Sequence, residues 1–173
     1  AGVPAGTAGE IVVRGREEGL VMNGYHGMPE ATAQTVVDGW VRTGDLGVLD
    51  DDGYLTFLGR LSDSIRRRGE NISAFEVEQI VAAFPDVQEV AAIGVPSELT
   101  EEDVMVVVVP RAGAILDPAA LSRHCRANGP AYLAPRYIEI VEDLPKTPTQ
   151  KVEKFQLTSR GVQPGTWDAD AHR

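Results

Sequence analysis

Apolar positions follow two rhythms along the 173-residue chain, and the change between them divides it. In the first sixty residues the apolar stretches are short and rich in β-branched side chains. Glu10 to Arg14 (EIVVR), between Gly9 and Gly15, reads as a strand, and a glycine-rich loop follows it. Residues 29 to 37 (PEATAQTVV) suggest a short helix with Pro29 in its first turn, where the missing N–H would have no helical partner anyway. Asp38-Gly39 signals a turn before a strand over Trp40 to Arg42. Leu46 to Asp50 and Tyr54 to Leu58 flank Asp51-Asp52-Gly53 as the arms of a hairpin. This part is β-rich, has no long helix, and is expected to be unable to close a core alone.

From Ser62 onward strands alternate with helices, which places a domain boundary at Arg60 to Ser62. Ser73-Ala74-Phe75-Glu76 is a capping box, and Val77, Ile80, Val81 and Phe84 recur at helical spacing until Pro85. Val87 to Val95 and Val104 to Val109 are strands, the second so uniformly apolar that both its faces should be covered. PSELTEED between them reads as a charged loop. Asp117-Pro118 opens a second helix with Leu121 and Cys125 facing inward, and Asn128-Gly129-Pro130 ends it. Arg136 to Glu142 is a further strand, and LPKTPTQKVEK turns twice on its prolines before a last helix near Val152. The expected order is β-α-β-β-α-β-α, an α+β arrangement of helices on a small sheet. Past Gly161, QPGTWDADAHR has the composition of a disordered tail.

Composition narrows the functions available. A net charge of -10 argues against general nucleic-acid binding, which requires an excess of Lys and Arg. The single cysteine, Cys125, has no partner for an internal disulfide, and three scattered histidines give no zinc-type ligand spacing, so no metal site is expected and the cytosol fits best. The longest apolar run, Val104 to Val109, is too short to span a bilayer. His124 lies next to Cys125 but on another helix face, so Cys125 reads as core rather than nucleophile.

Against this acidic background, Gly59 to Glu78 (GRLSDSIRRRGENISAFEVE) concentrates Arg60, Arg66, Arg67 and Arg68, with Gly69 placed where a backbone can approach a ligand. Charge alone leaves two readings open, a locally anionic partner or a solvated face.

The ordered motifs GEI at 9 to 11, PEAT at 29 to 32, DGWVRTGDLG at 38 to 47, DDDGYLTFLGR at 50 to 60, RRRGENIS and PKTPTQK carry a resemblance. Over about residues 9 to 160 the chain resembles the C-terminal third of an adenylate-forming acyl-CoA or aryl-CoA synthetase, and looks most like the crotonobetaine/carnitine-CoA ligase group. The resemblance implies that residues 1–60 end a large N-terminal adenylation domain, that 61–160 form the small mobile C-terminal domain, and that 161–173 are a tail. It implies ATP, Mg2+ and coenzyme A, with the phosphate loop and the magnesium ligand in the absent N-terminal part. The fragment alone is therefore expected to be inactive.

By motif position Lys151 matches the catalytic lysine, although Gln150 stands where most members have Gly. Lys154 is its nearest competitor and is expected on the surface. Asp45 and Arg60 match the residues that contact the ribose and phosphate of ATP. Ser62 matches the hinge, where Asp or Lys is usual, with Asp63 next to it as the substitute. Arg66, Gly69, Glu70 and Asn71 match the face that forms the thioester after the small domain rotates, while Arg67 and Arg68 are either coenzyme A phosphate contacts or solvated. Gly-Glu-Asn-Ile favours coenzyme A over a carrier protein as acceptor. A non-catalytic α+β module binding a small molecule or a partner domain is the competing reading.

Overall fold

The computed structural model describes residues 2 to 171 and divides into two compact units, Ala1–Ser62 and Asp63–Arg173.

In the first unit β1 (Ala8–Val13), β2 (Val36–Val37) and β4 (Leu55–Arg60) all pair antiparallel with β3 (Trp40–Leu49). The two strands expected at 40–42 and 46–50 are thus one, with Thr43-Gly44-Asp45 inside it and a register shift against β4 at Leu46/Gly47. Helix α1 is Pro29–Thr35, because Val36 and Val37 leave it to pair with Val41 and Trp40. Asp38 and Gly39 make that hairpin turn with φ 51° and 77°, the doubly left-handed turn whose twist matches paired strands. Val41 is the one buried apolar side chain among the described residues of this unit, whereas Val12, Val13, Val37, Leu55 and Phe57 are exposed. The unit indeed lacks a core of its own.

The second unit begins with β5 (Ser64–Arg67), β6 (Glu70–Ser73) and α2 (Ala74–Ala82). Ser73 Oγ accepts a hydrogen bond from the Glu76 amide, so the predicted cap forms. Then follow β7 (Val87–Pro96), β8 (Glu102–Pro110), α3 (Pro118–Asn128), β9 (Tyr137–Ile140), α4 (Lys154–Arg160) and β10 (Trp167–Asp168). The main sheet runs β10-β9-β8-β7, parallel between β8 and β9 and antiparallel elsewhere. Strand alternation sends Val104, Val106 and Val108 to one side with Val77, Val81, Leu121 and Cys125. Met105, Val107 and Val109 go to the other side with Leu144 and Leu157. Helices therefore cover both faces of β8, and each of these side chains contributes roughly 1.5–3 kcal/mol by leaving water. No helix among the described residues is long and apolar enough to cross a membrane.

Two expectations are corrected. The charged loop PSELTEED ends earlier than read, since Glu102 and Asp103 begin β8 and Asp103 is buried at 4% exposure. The tail is also folded as far as residue 171: Trp167 pairs with Ile138 and packs on the core, Ala169 is buried and its amide bonds to Arg136 O. One aromatic ring and two aspartates order this segment, which its polar composition concealed. Residues 172 and 173 of the expected tail lie outside the described residues. The second unit reads β-β-α-β-β-α-β-α-β, the predicted series with β6 and β10 added.

Candidate functional site

Asp45 and Arg60 are directly opposite in the β3–β4 register, with Arg60 Nε 2.8 Å from Asp45 Oδ1. The backbone that presents Asp45 is held by neighbours. Thr43 Oγ1 donates to Ile11 O at 2.7 Å and accepts the Asp45 amide at 3.0 Å, and Glu10 accepts the Gly44 amide. Gly44 sits at φ 74°, which explains its place before the aspartate. The pair stays at the surface, 58% exposed at Arg60 and 29% at Asp45. It therefore offers a fixed carboxylate acceptor beside a guanidinium donor fork, a combination that suits a diol next to an anion.

The hairpin β5–β6 pairs Ile65 with Ile72, Arg66 with Asn71 and Arg67 with Glu70. Arg68 and Gly69 form its two-residue turn at φ 53° and 78°, again both left-handed. A Cβ at Gly69 would meet no atom, so within this unit the turn's conformation, not space, calls for glycine. Alternation buries Ile65 and Ile72 and turns Arg67 the same way, leaving Arg66 and Asn71 side by side on the exposed face.

Arg67 answers the open reading in a third way. Its Nε lies 3.3 Å from Asp103 Oδ1, and its guanidinium donates to Tyr132 O and Ala134 O. Asp103 Oδ2 also takes Arg136 at 2.8 Å and the Ser97 hydroxyl at 2.8 Å. The hydrogen bonds that Arg136 donates to Asp168 and Asp103 push its guanidinium well above its ordinary pKa. Sequence reading missed this cluster because its members come from four distant segments. The signal was Asp103 adjoining an otherwise apolar run.

Acidic residues also brace the hairpin. Glu102 Oε2 accepts the Arg66 amide at 2.7 Å, passing over Gly94, where any Cβ would collide with it. The Glu101 carboxyl is held below the usual range by its own backbone N–H and by those of Gly69 and Arg68.

Lys151 stands on a loop closed by the Lys146–Val152 bridge and by Glu153 N to Pro145 O at 2.8 Å. Inside it, Gln150 N bonds to Thr147 O, Thr147 N to Lys151 O, and Lys151 N to Thr147 Oγ1. Pro148 occupies the second position of this turn, and Gln150 the left-handed position at φ 65°. The departure from glycine at Gln150 therefore falls where glycine fits best, yet the turn forms.

Three lysines share this segment and have different fates. Lys146 Nζ lies 2.8 Å from Glu89, which raises its pKa, with Asp143 adding to the effect. Lys154, expected on the surface, pairs instead with Glu78 at 2.7 Å and Asp63 at 3.3 Å. Lys151 is exposed, and among the described residues its ammonium has no ion-pair partner. Ser62 lies exposed in a short 3-10 turn, Leu61–Asp63, as the last residue of the first unit. No hydrogen bond or ion pair between described residues joins Lys151 to the β5–β6 hairpin.

Cys125 is buried at 2% exposure, and burial pushes its thiol up to about 11. The ring nitrogens of His124 lie against Ile80 O and Asn128. Cys125 is thus core, as expected, while His124 is half-buried beside it.

Residues 76–151 match the family described as AMP-binding enzyme C-terminal domain. The crotonobetaine/carnitine–CoA ligase of Proteus mirabilis (strain HI4320) is 37% identical over 156 residues, covering 90% of this chain and 30% of the ligase. The amide bond synthetase McbA from Marinactinospora thermotolerans superposes with a TM-score of 0.84 at 36% identity, covering 94% of this chain and 33% of that one. ATP-bound MatB from Rhodopseudomonas palustris gives 0.83 at 36% identity, covering 91% and 31%. The chain spans 28% to 30% of the length of the curated relatives it matches. Residues 76–151 thus belong to the C-terminal domain family of AMP-binding enzymes, and the chain that carries them is a relative of the adenylate-forming CoA ligases.

Proposed function

We propose that this chain is the C-terminal portion of an AMP-forming acid–CoA ligase, with residues 1–60 ending the adenylation domain and the second unit acting as its mobile partner. In the first step a carboxylate oxygen attacks the α-phosphorus of ATP, the bond to pyrophosphate breaks, and an acyl-adenylate forms. In the second, the thiol of coenzyme A gives up its proton and attacks the acyl carbonyl, and AMP leaves.

The observation that carries this reading is the contrast among the lysines. Ion pairs hold Lys146 and Lys154, while the ammonium of Lys151 is presented to solvent from a closed loop. Such a cation, brought between two anionic reactants, attracts both and stabilises the charge that develops at phosphorus. Asp45 accepts from the ribose hydroxyls and Arg60 contacts ribose or phosphate. Rotation at Ser62 then withdraws the lysine loop and brings in the face of Arg66, Gly69, Glu70 and Asn71. The exposed pairing of Arg66 with Asn71 beside a tight turn supports that use.

Half-reactions of the complete ligase test the proposal. Lys151→Ala is expected to lower adenylation about 100-fold or more, the scale of a lost charge-stabilising group. Thioester formation from synthetic acyl-adenylate should stay near the parent rate. Equal loss in both steps would sink the two-face scheme. An adenylate discharged by amines but not by coenzyme A would reassign the acceptor, an outcome that the likeness to an amide bond synthetase makes worth measuring. The 173-residue chain by itself should show neither step.

A further inference from the structure

Lys154 opens α4 three positions after Lys151, and its side chain is only 21% exposed. Its ammonium lies 2.7 Å from Glu78 Oε1 and 3.3 Å from Asp63 Oδ2. Glu78 is itself fixed, because the same oxygen accepts the Ala92 amide at 2.8 Å and so ties α2 to β7. Asp63 directly follows Ser62, where the second unit begins. One cation thus gathers two half-buried carboxylates from segments far apart in sequence, and without it those carboxylates would repel each other. An exposed pair contributes little, but a partly desolvated ion shared by two partners fixes geometry.

The loop transmits that geometry. Glu153 N to Pro145 O and the Lys146–Val152 bridge close residues 145 to 153 on themselves, so whatever holds Lys154 holds the outgoing stem of the Lys151 loop.

We propose that Lys154 is a positioning residue for Lys151, fastening the loop's outgoing stem through Glu78 and Asp63 to the residue next to Ser62, so that loop and hinge turn as one body. This rests on the reading of Lys151 and Ser62 given above. Adenylation then depends on the clamp, because Lys151 must arrive in a narrow orientation. Thioester formation, carried out with the loop turned away, does not.

The experiment compares Lys154→Met, Lys154→Arg, Asp63→Asn and Lys151→Ala in the complete ligase, with thermal melts of each. Misplacing a reacting group by about 1 Å costs on the order of 100-fold, so Lys154→Met is expected to lower kcat of adenylation about 10- to 100-fold. Thioester formation from synthetic adenylate should remain within about twofold, since it does not depend on loop orientation. Lys154→Arg, which keeps the charge, should recover most of the loss. Asp63→Asn, which leaves the Glu78 pair intact, should show a smaller loss confined to adenylation, and it carries the test if Lys154→Met does not fold. A normal adenylation rate in Lys154→Met or Asp63→Asn, or equal loss in both half-reactions, overturns the positioning role. If that occurs while Lys151→Ala fails to adenylate, only the clamp is lost. Normal adenylation by Lys151→Ala removes the underlying reading as well.

Discussion

Arg60 with Asp45 and Arg67 with Asp103 are the same chemical pair in opposite settings. The first lies across two strands at the surface, with side chains 58% and 29% exposed. The second is enclosed, at 16% and 6%, and Asp103 serves Arg136 and Ser97 as well. The difference is one of exposure and of the number of partners that Asp103 serves. In the enclosed cluster every contact is spent on holding β5, β8 and β10 together, whereas the open pair orients a carboxylate toward solvent. An arginine cluster in a sequence therefore says little about ligands until its carboxylates are located. Of the four arginines in the 59–78 segment, Arg67 is structural, while Arg60 and Arg66 are presented.

The sharpest way to break the contrast is Asp103→Asn. The substitution keeps the shape but leaves two partly buried guanidinium groups short of a negative charge, and breaking a buried pair in this way costs about 3–5 kcal/mol. Since Arg136 keeps Asp168 and Asp170, the lower end applies. Urea unfolding of the 173-residue chain should show a midpoint shift equivalent to about 3 kcal/mol at an unchanged slope. A shift below about 1 kcal/mol would place the cluster among ordinary surface pairs.

Local signals carried most of the fold. The capping box at Ser73, the Asp117-Pro118 start and the apolar run of β8 each specify an element with little help from elsewhere. Legibility fell where order comes from distant partners. Trp167 and Asp168 are held by Ile138 and Arg136, and nothing in QPGTWDADAHR shows that. The same limit hid the partners of Arg67 and Lys154. The expected site residues Asp45, Arg60, Arg66 and Lys151 come from motif position, while the residues that hold their backbone in place carry no such signal. Glu101 and Glu102 looked like loop charge, yet their carboxylates brace the hairpin's backbone amides.

The lysine loop sharpens the contrast with a smaller effect. Gln150 adopts φ 65°, a conformation that costs a residue with a Cβ about 1–2 kcal/mol. Gln150→Gly removes that strain and returns part of the gain through the freer unfolded chain, leaving a net stabilisation of about 0.5–1 kcal/mol. Gln150→Ala should bring no such gain, because alanine meets the same steric penalty. Thermal melts of the two variants check this. Equal stability would show that the turn at Lys151 bears no strain.

The smallest stability effect is expected where the functional effect is large. Asp45→Asn breaks an exposed ion pair, and such pairs contribute about 0–1 kcal/mol, so unfolding of the 173-residue chain should move by less than about 0.5 kcal/mol. If Asp45 accepts the ribose hydroxyls, its charge strengthens those hydrogen bonds, and loss of one bond to a charged group costs about 1.5–3 kcal/mol of binding. AMP affinity of the complete ligase, measured by calorimetry, should then fall by roughly tenfold or more. The ratio of the two effects is the measurement that matters. A substitution at Asp45 that destabilises the chain as much as Asp103→Asn, with AMP binding unchanged, would make both pairs structural and erase the distinction between an arginine spent on the fold and one offered to a ligand.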